Sequence, residues 1–244
     1  MKILVCISSV PDTTTKISFI DNKSLNQTGV QFIINPYDEI ALTKALELKE
    51  SLTGTVTVIN VGSANTEPVI RKALAIGADD AIRINAEPID ALQVAQEIDA
   101  VAEKGGYDLI FTGRESIDFN SAQVGPMLGE LLNLPSIAVV KKLTVEGNQV
   151  TAEKEIDGGK EIVTAQLPLV VTAQKDLAEP RIPNMRGIMS ARTKPLTVVE
   201  PSSTALATNH VKFDLPQPKQ ACKMVTPGNM DELINLLHTE AKVI

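Results

Sequence analysis

Tryptophan is absent from this 244-residue chain, and aromatic residues of all kinds make up only 3%. A core of this size must therefore be filled by Val, Ile, Leu and Ala, the usual material of a parallel sheet covered by helices. Cysteine and histidine are almost as scarce: Cys6 and Cys222, His210 and His238. No Cys/His cluster has metal-ligand spacing, and no Ser–His–Asp order stands out. A Cys6–Cys222 disulfide is open on paper. Two reduced thiols in a reducing compartment are favoured, with Cys6 buried inside an apolar strand pattern. Basic charge is in deficit, with 23 Lys and Arg against 30 Asp and Glu and a net charge of −7. That balance argues against nucleic-acid binding as the main task, because phosphate neutralisation needs a basic surface. No apolar run approaches transmembrane length, which argues against direct membrane insertion. Neither GxGxxG after the first strand nor GxxxxGKS/T is present, which speaks against a standard dinucleotide site and against a P-loop. No paired carboxylates and no nucleophile–base pair stand out. Redox chemistry in such a chain would have to be carried by a cofactor.

What is present is ordinary for a globular protein: 43% hydrophobic and 22% charged residues. The length fits one large domain, or one domain with an appendage. Met1–Ile7 reads as a first β-strand. A signal peptide is disfavoured, because Pro11-Asp12 follows without a small-residue cleavage site. No Arg-rich transit segment precedes it, so a bacterial cytoplasmic location is expected. Strand one is placed at Lys2–Ser8. A small hairpin excursion is predicted from Lys16–Ile20 and Val30–Ile34 around Asp21-Asn22-Lys23. Asn35-Pro36 starts a helix, Asn as N-cap and Pro where the missing N–H is not needed. Ala41, Ala45, Leu48 and Leu52 share one of its faces. Strands at Thr55–Val61, Ala81–Ile84, Tyr107–Thr112 and Ser136–Val140 alternate with helices at Thr66–Ile76, Ile89–Glu103 and Ala122–Leu132. This alternation predicts an α/β fold with an open, mostly parallel, doubly wound sheet. Ala152–Thr172 adds a β-hairpin turning at Asp157-Gly158-Gly159, followed by the apolar strand Leu169–Ala173.

The pattern then changes. Gln174–Pro195 carries five cationic residues, three prolines and no strong periodicity, and reads as a long irregular loop of functional length. Four prolines punctuate the stretch from Glu200 to Gly228. Asn229 caps a last amphipathic helix, with Glu232 three residues on and Met230, Leu233, Ile234, Leu237 and Ala241 on one face. We expect a nucleotide-binding α/β domain over 1–195, including a recognition loop at 173–195. Residues 196–244 are expected to form an extended C-terminal arm whose helix packs on a partner chain.

Open parallel sheets bind ligands at the carboxyl ends of their strands. Three features converge there. The helix start Asn35–Asp38 offers N–H groups and side chains for a base or ribose. The loop Gly113–Ser121 runs into Ala122-Gln123-Val124-Gly125, where a helix N-terminus favours a phosphate. Gly62 permits close approach at the end of the second long strand. Helix N-termini are common, so phosphate binding and a plain capped helix both remain open from the residues alone.

Several short motifs occur in an order and spacing that resemble the electron-transfer flavoprotein β-subunit family. They are Asn35-Pro36-Tyr37-Asp38-Glu39-Ile40-Ala41, Ala73–Asp79, Ser116-Ile117-Asp118, Gln123-Val124-Gly125 and Glu179-Pro180-Arg181. Most specific is the segment containing Lys154, Asp157-Gly158-Gly159, Glu161, Val163, Pro168 and Val170-Val171-Thr172. The resemblance implies the β chain of a heterodimer whose α subunit holds most of the FAD contacts. Such a pair takes electrons from acyl-CoA dehydrogenases and similar flavoenzymes and delivers them to a membrane quinone oxidoreductase. It also implies an electron carrier without catalytic residues of its own, and a structural AMP in this subunit. Position by position, the AMP contacts would be Cys6, Asn35, Pro36, Tyr37, Asp38 and Val61. The loop would add Gly113, Arg114, Glu115, Ser116, Ile117, Asp118, Phe119, Asn120, Ser121, Ala122, Gln123 and Val124. Partner recognition would fall to Glu179, Pro180, Arg181, Ile188 and Met189, with Met185 as the apolar anchor. Where some members carry an aromatic near the flavin, this chain has Thr13. Electron-bifurcating members bind a second FAD in place of AMP through a loop resembling I-D-G-D-T-A-Q-V-G-P. This chain keeps Ile117-Asp118 and Ala122–Pro126 but has Phe119 for Gly and Asn120 for Asp, so AMP is expected over FAD. A free-standing nucleotide-binding sensor domain is the alternative of a different class.

Overall fold

The computed structural model describes all residues except 203–205 and 219–220. Along the chain the elements are β1 (Lys2–Cys6), β2 (Ser9–Pro11), β3 (Phe19–Ile20), β4 (Ser24–Leu25), β5 (Phe32–Ile34), α1 (Pro36–Leu52) and β6 (Thr55–Val61). Then come α2 (Glu67–Ile76), β7 (Asp80–Ile84), α3 (Ala91–Gly105), β8 (Leu109–Gly113), α4 (Val124–Leu131), β9 (Ser136–Glu146) and β10 (Gln149–Ile156). The chain ends with β11 (Gly159–Gln166), β12 (Leu169–Ala173), α5 (Met185–Ala191), β13 (Leu196–Val199) and α6 (Met230–Leu236). One nine-stranded sheet runs in the order β11-β10-β9-β12-β8-β1-β6-β7-β13. From β9 to β13 every pairing is parallel, whereas the β9–β10 and β10–β11 pairings are antiparallel. The expected open, doubly wound, mostly parallel sheet is the one observed.

The central strands β1, β8 and β12 are mostly apolar because both faces are covered. Side chains of a strand alternate between faces, and the two core layers follow that alternation. Ile3, Val5, Val56, Val58, Leu109 and Phe111 pack with Ala41, Leu42 and Ala45 of α1 and with Ile70 and Leu74 of α2. Leu4, Cys6, Ile59, Val61, Ile110 and Val170 pack with Ile98 and Ala102 of α3 and Leu128 of α4. The strand order reverses at β1, whose neighbours are β6 on one side and β8 on the other. Helices α1 and α4 start beside the carboxyl ends of β1 and β8, which makes this the topological switch point.

Several local predictions need correction. Lys16–Ile20 does not pair with Val30–Ile34. Instead β3 pairs with β4, and β5 pairs with β2, because Ser9–Pro11 continues the chain beyond strand one as a second short strand. Leu52 lies on no buried face; it is 40% exposed at the end of α1, whereas Leu42 and Leu46 are buried there. The hairpin turn is Asp157-Gly158, with Ile156 paired to Gly159, so Gly159 already belongs to β11. The fifth core strand is longer than Ser136–Val140. It bends where Val139 takes a φ of 62° and its N–H is held by the Thr172 hydroxyl at 2.9 Å. Beyond the bend, β9 leaves β12 and pairs with β10 instead. The stretch Gln174–Pro195 is not irregular throughout, since Met185–Ala191 is the helix α5, with the Asn184 side chain accepting from Gly187 N–H. The seven residues of α5 make only about two turns, too few for periodicity to register. Leu196–Val199, expected in the arm, forms the edge strand β13 beside β7. Asn229 precedes α6 without capping it; its side chain donates to Glu232 Oε2 at 2.6 Å.

Candidate functional site

At the switch point, side chains of α1 tie the strand ends together. Asp38, in the first turn of α1, accepts from Ser8 N–H at 2.7 Å and from Gly113 N–H at 2.8 Å. One carboxylate thus bridges the ends of β1 and β8. Asn35 is fully buried. Its amide donates to Glu115 O at 2.8 Å and accepts from Ile117 N–H at 3.2 Å, pinning the loop that follows β8. Both side chains help to build the crevice by holding backbone groups of these segments, and Asp38 also lines it. Buried polar atoms must be satisfied, and these satisfy one another across three segments. Tyr37 lies under the Arg114 guanidinium at 5.4 Å, and Arg114 pairs with Glu115 at 2.6 Å.

Burial pushes the Asp38 carboxyl up to about 7, against the opposing pull of the Ser8, Asn35 and Gly113 hydrogen bonds. Burial, and secondarily the nearby Asp38 charge, push the Cys6 thiol far up. Cys6 is therefore a protonated, apolar-behaving wall residue at neutral pH, with no thiolate for redox or nucleophilic chemistry. Both cysteines are free, Cys6 buried and Cys222 exposed.

The loop after β8 ends in a left-handed pair, Asn120 at φ 52° and Ala122 at φ 53°. Asn accepts that region readily, but Ala does so only under strain. Helix α4 then begins at Val124 with no side-chain cap on its first turn. Its leading N–H groups have no intrahelical acceptor. Gly125 lets that end of the helix sit against the sheet: a Cβ there would lie 2.4 Å from Thr172 Cγ2 and 2.8 Å from Thr112 Oγ1. Any larger residue would push the N-terminus of α4 away from the strand ends.

These parts surround a cavity of about 290 Å³, near the lower limit of the ~300–1,000 Å³ usual for small-molecule sites. Of the sequence-predicted residues, Cys6, Asp38, Val61, Gly113, Arg114, Glu115 and Ser116 line it, together with Asp118, Phe119, Ser121, Ala122, Gln123 and Val124. Asn35, Pro36, Tyr37, Ile117 and Asn120 are not among the lining residues. Sequence reasoning missed Thr66, Pro88, Ile89 and Asp90, and also Thr208 and His210 from the C-terminal arm. Asp90 could have been found, as an Asp just ahead of an amphipathic run; it caps α3 by accepting from Gln93 N–H at 2.7 Å. Nothing in the sequence signals the two arm residues. Among the described residues no cluster of His, Cys, Asp or Glu could hold a metal ion, and no helix is long and apolar enough to cross a membrane.

A second surface lies on the α1–α2 side of the sheet. Arg181 forms a two-pronged pair with Glu50 of α1 at 2.6 and 2.8 Å. Ile182, Met185 and Met189 are 92%, 73% and 68% exposed, and Ile188 is 42% exposed. Helix α5 is held close to α2. Arg71 donates to Ala191 O and Lys194 O, both at 2.9 Å, while Lys194 donates to Leu74 O and Ala78 O at the end of α2. A Cβ on Gly187 would lie 2.4 Å from Ala75 O, so only glycine permits this approach.

An open parallel sheet wound on both sides, with a crevice where the strand order reverses, is the ligand-binding class of α/β architecture. The chain belongs, more narrowly, to the electron transfer flavoprotein β-subunit family. The family model described as the electron transfer flavoprotein domain matches residues 23–204. The chain is 37% identical over 258 residues to the electron transfer flavoprotein subunit beta of Bacillus subtilis, with 100% of each chain covered. It is 39% identical over 197 residues to the protein of the same name from Thermoanaerobacterium thermosaccharolyticum, covering 80% of this chain and 76% of the relative. A third relative, 34% identical over 207 residues (82% and 78% covered), is the acryloyl-CoA reductase electron transfer subunit gamma of Anaerotignum propionicum. An electron-transfer role as the β chain of a flavoprotein follows from this membership.

Proposed function

We propose that this chain is the AMP-holding half of a two-chain electron carrier of the bacterial cytoplasm. Its α partner holds the FAD, and the FAD carries the electrons. This chain supplies no catalytic residue. It holds AMP as a structural ligand, pairs with α, and presents the surface on which acyl-CoA dehydrogenases dock before electrons pass on to a quinone oxidoreductase. The observation that supports this reading is the cavity at the β1–β8 switch point, in a chain that aligns end to end with a β subunit.

The site suits a mononucleotide. Cys6, Val61 and Ile98 give it apolar walls, and Ser116, Ser121 and Gln123 give it polar rims. The uncapped N–H groups at the start of α4 would take the phosphate. Asp38 and Asn35 would act from behind, by holding the strand ends and the loop in place. Docking would use Met185, Ile188 and Met189, exposed on α5 and adaptable in shape, with Glu179, Pro180 and Arg181 leading into them. The C-terminal helix α6 would pack on α through Met230 and Ile234, both exposed here.

The test is mass spectrometry of nucleotides released from the purified two-chain complex. One AMP and one FAD per complex are expected. Two FAD and no AMP would replace this reading with an electron-bifurcating one, which the retained Ile117-Asp118 and Ala122–Pro126 favour. Absence of any nucleotide beyond one FAD would overturn a ligand in this chain altogether.

A further inference from the structure

Only five phenylalanines and two histidines occur in the whole chain. Three of the former and one of the latter form a single row, whose His210–Phe119 end lines the switch-point cavity. Phe19 of β3 stacks on Phe213 at 5.0 Å, Phe213 meets His210 at 5.2 Å, and His210 stacks on Phe119 at 5.1 Å. In a molecule so poor in rings, this row joins three segments far apart in sequence: the β3–β4 excursion, the C-terminal arm and the loop after β8.

The arm is fixed where it crosses. Ala207 and Thr208 both donate their N–H to Asp90 Oδ2 at 2.9 Å, at the N-terminus of α3. Phe213 donates its N–H to Asn22 O at 2.8 Å. Asp90 and Phe119 line the cavity from opposite segments, and Thr208 and His210 line it between them. The arm therefore spans the opening from the α3 side to the loop side.

We propose that residues 207–213 form a strap that restricts this site to a mononucleotide, with His210 and Phe119 as its specificity-determining residues. The proposal rests on reading the cavity as the nucleotide site. A mononucleotide fits beneath the strap in the space of about 290 Å³. A dinucleotide that seats one nucleotide in the same place must send its second half out through the mouth, where the His210–Phe119 pair and the pinned backbone at 207–208 stand in its way. Phe213 reaches the ligand only through His210, so it acts as a positioning residue.

The experiment is calorimetric titration of the full-length chain with AMP and with FAD, for the wild type, His210→Ala and Phe213→Ala. His210 is exposed and Phe213 half-buried on the arm, and neither belongs to a strand of the sheet. The wild type is expected to prefer AMP. Both variants are expected to narrow that preference about tenfold, mainly by improving FAD binding, since one lost ring stack and its pinned strap are of that order. An unchanged FAD-to-AMP ratio in either variant would overturn the strap. A wild-type chain that binds neither nucleotide would instead overturn the nucleotide reading, and would do so before any variant is compared.

Discussion

The crevice at the ends of β1 and β8 and the α5 surface are built on opposite plans. In the crevice, polar groups turn inward and use one another up: Asn35 and Asp38 are buried and bonded to backbone of β1, β8 and the following loop. On α5, large apolar groups turn outward: Met185 and Met189 are among the most exposed large side chains of the described residues. A buried polar network fixes one geometry, because any departure leaves a donor or acceptor unpaired. Exposed, flexible methionines hold no geometry of their own and adapt to what docks. The first plan suits a ligand that stays; the second suits partners that come and go.

The contrast predicts that crevice substitutions act on stability and α5 substitutions on transfer alone. Asn35→Ala should have the largest effect. It strands Glu115 O and Ile117 N–H, at about 1–3 kcal/mol each, so unfolding free energy should fall by about 2–6 kcal/mol. Urea denaturation measures it, and a loss below about 1 kcal/mol would show that the loop re-forms its bonds without Asn35.

Asp38 sharpens the comparison through pH. Its carboxyl rises from 3.8 to about 7 on folding, so the native state holds that proton more tightly than the unfolded chain. Its contribution to stability is therefore full below pH ~4 and is lost as the pH climbs through about 7. Asp38→Asn carries no such titration. Relative to that variant, the wild type should lose about 2–3 kcal/mol between pH 5 and pH 8, at roughly 1.4 kcal/mol per pH unit up to the folded pKa. Parallel pH–stability curves for the two proteins would contradict an anionic cost at this site.

The smallest stability effect is expected at Met185→Ala, within about 0.5 kcal/mol because the side chain is already in water. Stopped-flow measurement of electron transfer from an acyl-CoA dehydrogenase should nonetheless slow several-fold, with FAD and nucleotide content unchanged. If unfolding and transfer moved together, the separation between the two regions would fail.

Much of the fold was legible because short apolar runs and capped amphipathic stretches are local signals. Thr55–Val61 is a strand with the bounds its residues suggest, and Lys2–Ser8 misses only by running two residues past β1. Short pieces were less legible. The two-residue strands β3 and β4 and the seven-residue α5 are too brief for any periodicity to distinguish them from loop. Pairing was legible only in part: an Asp157-Gly158 turn announces a hairpin, but nothing local says that Ser9–Pro11 will claim Phe32–Ile34. In the site, Gly113 and the loop up to Val124 stood out as the end of a strand leading into a helix. The division of labour inside Asn35–Asp38 did not, since a side chain's spelling does not reveal whether its partner is a ligand or a backbone amide eighty residues away.

The sequence by itself determined the class of the molecule: an aromatic-poor, Val/Ile/Leu/Ala-built parallel sheet, with motifs whose order identifies the family. These are properties of local periodicity and spelling. Tertiary structure alone decided which polar groups face the cavity and which are consumed in holding it open, that Leu196–Val199 closes the sheet edge, and that His210 reaches Phe119. Each of those depends on contacts between segments far apart in sequence, such as Asn35 and Glu115, 80 residues apart, and a contact at that separation is set by how the whole chain packs.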